Sequence, residues 1–199
     1  MTSKNTLIIG TRGSALALAQ ADMVRAALSA LHPGLDIRRE IIRTTGDRRM
    51  DVPLADVARV SGIVDKGIFI KELETALLEG RIDVAVHSLK DVPSELAPEF
   101  RLPAVLPRAA AEDVLITKEP DWNGRGTLAT GSVRRRLMAR TYWGRQLRFE
   151  DLRGNVPTRL EKLVEHPEWD AVILAKAGLE RLGLYAPETV VQGRKLYMR

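Results

Sequence analysis

The feature that most constrains the fold is the alternation of short strand-like runs with longer amphipathic stretches. Two of the amphipathic stretches, residues 14–31 and 67–78, repeat apolar residues at the spacing of one helix face. Runs of strand length alternating with helical patterns are typical of α/β folds. The sequence therefore predicts an α/β fold with mixed, mainly parallel sheets, whose strands include residues 7–9, 37–42, 84–86, 114–116 and 171–174.

Prolines at positions 93, 98, 103 and 107 interrupt both patterns and predict a crossover between two α/β domains. The first domain is predicted over residues 1–100 and the second over 101–183. The second would contain a turn near Gly124 and Gly126, helices that begin near Ser132 and after Asn155, and a closing helix over 175–182. Residues 184–199 have weak periodicity, and they either complete the first domain or trail away. The chain of 199 residues, 45% of them hydrophobic, is long enough for two modest cores.

The formal charge of +5 favours an anionic partner, which could be nucleic acid, an acidic membrane surface or a small polycarboxylate or phosphate. Arginines concentrate between residues 134 and 159, and the planar guanidinium group suits two-pronged recognition of carboxylate or phosphate. The chain has no cysteine, which excludes disulfides, thiolate metal sites and a cysteine nucleophile within it. No apolar stretch approaches membrane-spanning length, and the first apolar segment is too short for a signal peptide. These features predict a cytoplasmic protein.

Residues 83–93 place an apolar run before a charged pair, Lys90 and Asp91, which Pro93 follows closely. The run reads as a buried strand, and ligands of open α/β sheets bind at the carboxyl ends of the strands. A carboxylate at this position can stabilise a developing cation. Lys90 and Asp91 are therefore candidates for chemistry, although a surface ion pair in an ordinary strand-to-loop turn remains the alternative.

Residues 8–15 predict a strand that turns through Gly10 and Gly13 into a helix beginning near Ser14. Backbone N–H groups at the start of a helix attract anions, and Arg12 would add a guanidinium group beside them. The alternative is that Ser14 is only an N-cap. The glycine spacing fits neither the nucleotide P-loop nor the dinucleotide fingerprint.

Residues 127–136 repeat this arrangement, with Thr130 and Ser132 at the turn and two basic residues, Arg134 and Arg135, in the first helical turn. Positive charge at a helix N-terminus opposes the macrodipole, so it calls for a compensating anion. A bound ligand would supply that anion. The alternative is a solvated basic face.

Residues 151–159 form a third junction of the same kind. Gly154 allows close approach of the backbone, Asn155 is a predicted N-cap, and Arg153 and Arg159 flank the turn. The alternative is a capped surface helix whose arginines pair with nearby glutamates. Three arginine-bearing junctions across two domains indicate a cleft that binds several carboxylates.

Residues 62–69 place glycines around Lys66 just before a helix, as expected either for a mobile loop that closes over a site or for a plain linker. The three histidines, His32, His87 and His166, are not spaced as a ligand set, so no metal site is predicted.

Six segments together resemble hydroxymethylbilane synthase, also called porphobilinogen deaminase, and they follow the order of that family: residues 11–20, 66–74, 87–93, 130–135, 152–160 and 173–182. The resemblance implies two domains like those of type II periplasmic binding proteins, which face each other across a hinged cleft. It also implies a transferase of tetrapyrrole biosynthesis. Such an enzyme joins four porphobilinogen units head to tail, releases ammonia at each condensation, and yields hydroxymethylbilane.

The resemblance assigns roles to particular residues. Asp91 becomes the catalytic carboxylate, and Lys66 matches the lysine of the family's mobile loop. Carboxylate groups of substrate or cofactor are expected to bind Arg12, Ser14, Lys90, Arg134, Arg135, Arg153 and Arg159, with turn contacts from Thr130, Ser132, Gly154 and Asn155.

Family members continue into a third domain, where a cysteine anchors a dipyrromethane cofactor. Dipyrromethane is therefore the implied cofactor, but no cysteine of this chain can attach it. The expected form is one without the third domain, which a separate chain could supply. The expected partners are porphobilinogen and pyrrole oligomers, and the chain is expected to be a monomer.

Two other functions remain open. The chain could be a non-catalytic protein that binds polycarboxylates or tetrapyrroles. It could also bind nucleic acid through residues 134–148, where Tyr142 and Trp143 lie among arginines. Because the chain has only three Trp and three Tyr, most of them placed for packing, no nucleic-acid partner is predicted. The lack of a long apolar stretch predicts no membrane partner.

Overall fold

The computed structural model describes residues 5–48 and 70–199, without the side chains of residues 47 and 48. The chain divides into two compact units, Met1–Pro107 and Arg108–Arg199. The division falls at the end of the proline-rich stretch. Each unit has its own sheet and its own apolar core.

The first unit contains a parallel sheet of three strands in the order β2-β1-β3. Register places Ile9 opposite Val84 and Gly10 opposite Ala85, so β1 and β3 end at the same edge of the sheet. Its elements are β1 (Thr6–Thr11), α1 (Ala15–Leu31), β2 (Asp36–Ile41), α2 (Thr45–Arg48), α3 (Lys71–Leu78), β3 (Val84–Ala85) and a 3-10 turn (Leu89–Asp91).

Close packing beneath β1 explains one of the glycines at the first junction. Ile82, Leu73 and Ala76 form the buried core of this unit together with Ile42. A Cβ atom added at Gly10 would lie 2.2 Å from Cδ1 of Ile82. Glycine at this position therefore lets the strand lie directly against the core, just before the chain turns into α1.

The second unit contains a mixed sheet of six strands in the order β6-β5-β7-β4-β9-β8. Strands β6, β5 and β7 are parallel, whereas β4, β9 and β8 are joined by antiparallel pairings. Its elements are β4 (Asp113–Thr117), β5 (Gly126–Ala129), α4 (Val133–Trp143), β6 (Leu147–Glu150), α5 (Val156–Glu165), β7 (Ala171–Ala175), α6 (Lys176–Arg181), β8 (Glu188–Val191) and β9 (Arg194–Met198).

The amphipathic helix α5 shows why the middle of this sheet is buried. Its inward residues Leu160 and Leu163 are almost completely buried, and they pack in one cluster with Val172 and Leu174 of β7. Apolar side chains at this helical spacing cover one face of the sheet. The three parallel strands are thereby fixed with their carboxyl ends at one edge.

The end of the chain differs from both sequence-based expectations for residues 184–199. These residues neither trail away nor join the first sheet, because β8 and β9 form a hairpin whose second strand pairs with β4. The turn uses Gln192 (φ 48°) and Gly193 (φ 79°). Two consecutive positive φ values are characteristic of tight two-residue hairpin turns. Buried Leu196 and Met198 then anchor the hairpin in the second core.

Among the helices of the described residues, none combines the length and the hydropathy needed to cross a membrane.

Candidate functional site

In the first unit, the chain segments that follow β1 and β3 meet at the carboxyl edge of the sheet. Ser14 is the N-cap of α1, and its Oγ accepts a hydrogen bond from the N–H of Ala17 at 3.3 Å. Beyond β3, the Oγ of Ser88 donates to Oε1 of Gln20 on α1, at 2.7 Å. This bond ties the turn that carries Lys90 and Asp91 to the first helix.

Asp91 lies in the 3-10 turn, not directly at the end of a buried strand as the sequence predicts. Strand β3 has only two residues, and the turn closes through a bond of 2.9 Å from the N–H of Asp91 to the carbonyl of Ser88. The side chain of Asp91 is half-buried and that of Lys90 is exposed. Only the carboxylate is thus partly shielded from water.

His87 links Asp91 electrostatically to Arg12 at this edge. Burial has the largest effect on the pKa of His87 and lowers it. The negative charge of Asp91 raises this pKa and the positive charge of Arg12 lowers it, and the result is a pKa below its ordinary value. His87 is therefore neutral at pH 7 and adds no positive charge. Because both groups act on one imidazole, Arg12 and Asp91 belong to the same edge of the first unit.

In the second unit, four segments meet at the carboxyl edge of β5, β6 and β7. Ala129 of β5 lies opposite Glu150 of β6 and Val172 of β7, and Asp113 at the start of antiparallel β4 lies opposite Ala175 at the end of β7. The junctions at residues 130–135 and 151–159 follow β5 and β6 directly. The sheet order therefore brings together two of the three arginine-bearing junctions.

The arginines that begin α4 already have an acidic partner within the protein. Oδ1 and Oδ2 of Asp113 accept hydrogen bonds from Nη2 and Nε of Arg135, at 2.6 and 3.1 Å, and Oδ2 also accepts one from Nη2 of Arg134 at 2.9 Å. Burial raises the pKa of Asp113, but the bonds and charges of Arg135 and Arg134 outweigh burial and leave the pKa below its ordinary value. The anion expected to offset the macrodipole is therefore this carboxylate.

Three guanidinium groups, those of Arg135, Arg153 and Arg159, form what we call the arginine cluster. Burial, followed by the positive charges of Arg135 and Arg153, lowers the pKa of Arg159, whose Nε donates to the carbonyl of Gly154 at 2.7 Å. Nη1 of Arg153 is buried and has no hydrogen-bond partner among the described residues. Within the described ranges, neither Arg153 nor Arg159 pairs with a glutamate, in contrast to the surface-helix alternative.

Most polar side chains of the two turns form hydrogen bonds that hold the backbone in place. Ser132 caps α4 and Asn155 caps α5, where Oδ1 of Asn155 accepts from the N–H and the hydroxyl of Thr158, at 3.0 and 2.7 Å. The buried Thr130 hydroxyl oxygen accepts from the N–H of Ser132 at 3.2 Å. Gly154 has a φ of 121°, a conformation that favours glycine. These residues fix the turns that present the arginine cluster.

Lys66 lies outside the described residues, so its role in a loop stays a prediction. No group of three or more metal-ligating side chains occurs in residues 5–48 and 70–199. Sequence reasoning gave no role to Asp113 or to Arg181, whose Nε is also buried without a partner in this part of the chain.

A family model described as "Porphobilinogen deaminase, dipyromethane cofactor binding domain" matches residues 7–196. The chain belongs to the porphobilinogen deaminase family. This match extends over both units, so the residues of both sheet edges lie within the part of the chain that defines the family.

Curated proteins support the same membership. Porphobilinogen deaminase of Roseiflexus sp. (strain RS-1) is 47% identical over 186 residues, which make up 91% of this chain and 58% of that protein. The proteins of the same name from Gloeobacter violaceus and Syntrophotalea carbinolica are 44% and 46% identical, and the matches cover 54% and 56% of their lengths. The chain thus spans a little over half the length of these relatives.

Among solved structures, that of the ancestral amino acid-binding protein AncCDT-1, a precursor of cyclohexadienyl dehydratase, aligns with 98% of this chain and 82% of its own. The sequence identity is 15% and the TM-score is 0.42. The α/β class therefore rests on the strands and helices of the chain itself.

Proposed function

We propose that this chain carries the catalytic carboxylate and the carboxylate-binding arginines of a porphobilinogen deaminase. The reaction is the head-to-tail joining of four porphobilinogen units to hydroxymethylbilane, with release of ammonia. The first unit supplies Asp91, and the second supplies the arginine cluster. Membership of the family indicates the class of reaction. The carboxyl edges of the two sheets carry residues that suit this reaction.

The observation that carries this proposal is the buried Nη1 of Arg153, which has no partner among the described residues. A buried donor without a partner costs about 1–3 kcal/mol, and more when it is charged. The nearby charge of Arg159 adds repulsion, since the positive charges of Arg153 and Arg159 act on one another. A ligand with several carboxylates removes both costs, and every porphobilinogen ring has two, an acetate and a propionate.

Asp91 suits the step in which ammonia leaves. The C–N bond of the protonated aminomethyl group breaks with its electron pair going to nitrogen, and the pyrrole nitrogen supplies electrons to form an exocyclic C=C bond. Ammonia departs and the positive charge spreads over the pyrrole ring. A fixed carboxylate that accepts the pyrrole N–H stabilises this cation more than the uncharged ring from which it forms. Before the C–N bond breaks, the carboxylate of Asp91 can also accept a hydrogen bond from the protonated aminomethyl group.

The residues of the second unit fit the acidic side chains of the dipyrromethane cofactor. Arg153, with its unpartnered Nη1, and Arg159 would hold cofactor carboxylates at the turn around Gly154 and Asn155. When bound, the cofactor supplies the primer to which pyrrole units are added. The 199 residues contain no cysteine, so they offer no thiol for a thioether bond.

The remaining expectations belong to the same proposal. Arg12, Ser14 and Lys90 bind ligand carboxylates at the edge that carries Asp91, and Arg134 contributes beside the arginine cluster. Lys66, which lies outside the described residues, is expected to contact the ligand. The chain acts in the cytoplasm as a monomer and takes porphobilinogen and pyrrole oligomers as partners, without nucleic acid or membrane.

Calorimetric titration with two pyrroles tests the proposal. Porphobilinogen is compared with 2-(aminomethyl)pyrrole, which has the same reacting group but no acetate or propionate. We expect porphobilinogen to bind at least about tenfold more tightly, since each charge-assisted hydrogen bond contributes about 1.5–3 kcal/mol. Added salt should weaken its binding and leave that of the analogue nearly unchanged.

Equal affinity for the two pyrroles, or no binding of porphobilinogen, would refute the proposed function. Binding of porphobilinogen without release of ammonia would support a protein that binds its ligand but does not turn it over.

A further inference from the structure

We propose that Asp113 is a positioning residue for the arginine cluster, because it holds the guanidinium group of Arg135 in the orientation that binds a ligand carboxylate. This inference rests on the proposed function. It concerns a residue that touches no ligand and acts through Arg135.

The geometry separates the roles of the two arginines. Arg135 is fixed on three sides: Nε and Nη2 bond to Asp113, and Nη1 donates to the carbonyl of Ile173 at 2.9 Å. Its side chain is 13% exposed, whereas that of Arg134, with one bond to Asp113, is 62% exposed. Asp113 therefore immobilises Arg135 far more than Arg134.

The hydrogen-bond capacity of Arg135 leaves room for a ligand. A guanidinium group has five N–H donors, of which the protein uses three in this case, so two remain. A donor group already held in one orientation loses little entropy when a carboxylate binds. The charge of Arg135 acts on Arg159, so the oriented guanidinium group belongs to the cluster.

The sheet register explains why Asp113 can do this. Asp113 begins β4 and lies opposite Ala175, the last residue of β7. It therefore stands at the carboxyl edge of β7, the strand that also contains Ile173. Strand β4 runs antiparallel to β7, so its first residue reaches the edge where the parallel strands end. The N-terminal turn of α4 meets this carboxylate from the adjoining junction.

Charge and orientation predict opposite effects of one substitution, which makes the proposal testable. Asp113→Asn removes one negative charge and so should strengthen binding of an acidic ligand if charge alone matters. If Asp113 acts by orientation, the same variant should bind porphobilinogen at least tenfold more weakly. Asp151→Asn is the matched control, because it makes the same charge change. The carboxylate of Asp151 is 75% exposed and pairs with Arg136, which lies on α4 as Arg135 does.

The experiment measures porphobilinogen affinity by titration calorimetry for the wild-type chain and for Asp113→Asn, Asp113→Glu and Asp151→Asn. We expect a loss of tenfold or more for Asp113→Asn, a loss of three- to tenfold for Asp113→Glu, and a change within twofold for Asp151→Asn. Thermal unfolding monitors folding, and Asp113→Glu alone decides the case if Asp113→Asn does not fold. Tighter binding by Asp113→Asn, or equal changes in Asp113→Asn and Asp151→Asn, would overturn the positioning role. An affinity of Asp113→Glu equal to that of the wild type would also overturn the positioning role.

A second readout does not depend on the ligand. The Nε–H signal of Arg135 in nitrogen-15 spectra should be protected from exchange in the wild type and in Asp151→Asn, and lost in Asp113→Asn. Protection that persists in Asp113→Asn would also overturn the proposal. Absence of porphobilinogen binding by the wild type would instead refute the proposed function, so the two failures are distinguishable.

Discussion

Asp91→Asn is expected to slow ammonia release from porphobilinogen by about 10²- to 10³-fold, the effect typical of removing one group that stabilises transition-state charge. Asparagine keeps the shape of the side chain but not its negative charge, so the ring cation loses its counter-charge. Binding of porphobilinogen should change much less than the rate, since the cation is absent from the ground state. The measurement is ammonia release with single-turnover kinetics on both proteins.

The control for this experiment is Glu95→Gln, which removes one negative charge four residues away from an exposed position. We expect its rate to stay within about twofold of the wild type, because exposed charges are screened by solvent. Equal rates for Asp91→Asn and the wild type would exclude Asp91 as the catalytic carboxylate. No ammonia release by the wild type would exclude catalysis by these 199 residues and leave the account of binding.

Arg153→Met is expected to stabilise the unliganded protein and to impair ligand binding at the same time. Methionine fills much of the same space but removes a buried Nη1 without a partner in the described structure, and it removes one of the charges that act on Arg159. Replacing a buried unsatisfied group with an apolar one of similar volume stabilises proteins by about 1–2 kcal/mol. Affinity for porphobilinogen should fall about 10- to 100-fold, the worth of one charge-assisted bond.

Urea unfolding and titration calorimetry measure the two effects. Arg148→Met provides the matched control, since Arg148 is an exposed residue of β6 outside the arginine cluster. We expect this control to alter stability by less than about 0.5 kcal/mol and to leave affinity nearly unchanged. If Arg153→Met destabilises the protein, the cluster has no cost in the unliganded state and the argument from the unpartnered donor is wrong.

Local signals were sufficient to predict the elements that form the two sheet edges. Ser14, Ser132 and Asn155 each cap the helix that the sequence indicates, because N-caps depend on contacts within three residues. Short apolar runs mark buried strands, so they predict β1, β4 and β7. The α/β class followed from the same alternation.

Features that depend on distant pairing were not predicted. The contact of Asp113 with Arg135 joins residues 22 positions apart through the antiparallel register of β4 and β7, which no local pattern reveals. The sequence predicts either a bound anion or a solvated basic face at this point, whereas the protein supplies its own carboxylate, that of Asp113.

The C-terminal hairpin has a local signal in the sequence. Gln192 and Gly193 lie between two runs that contain β-branched and aromatic residues, and a polar residue followed by glycine is typical of tight hairpin turns. Strands β5 and β6 have only four residues each, too short to show a period, so the sequence indicates them only through the junctions at residues 127–136 and 151–159.

A crystal structure of the chain with bound porphobilinogen tests the central claim most directly. We expect a ligand carboxylate within hydrogen-bond distance of Nη1 of Arg153 in the second unit, and a pyrrole N–H directed at the carboxylate of Asp91 in the first. Porphobilinogen bound elsewhere, with Nη1 of Arg153 still lacking an acidic partner, would contradict it.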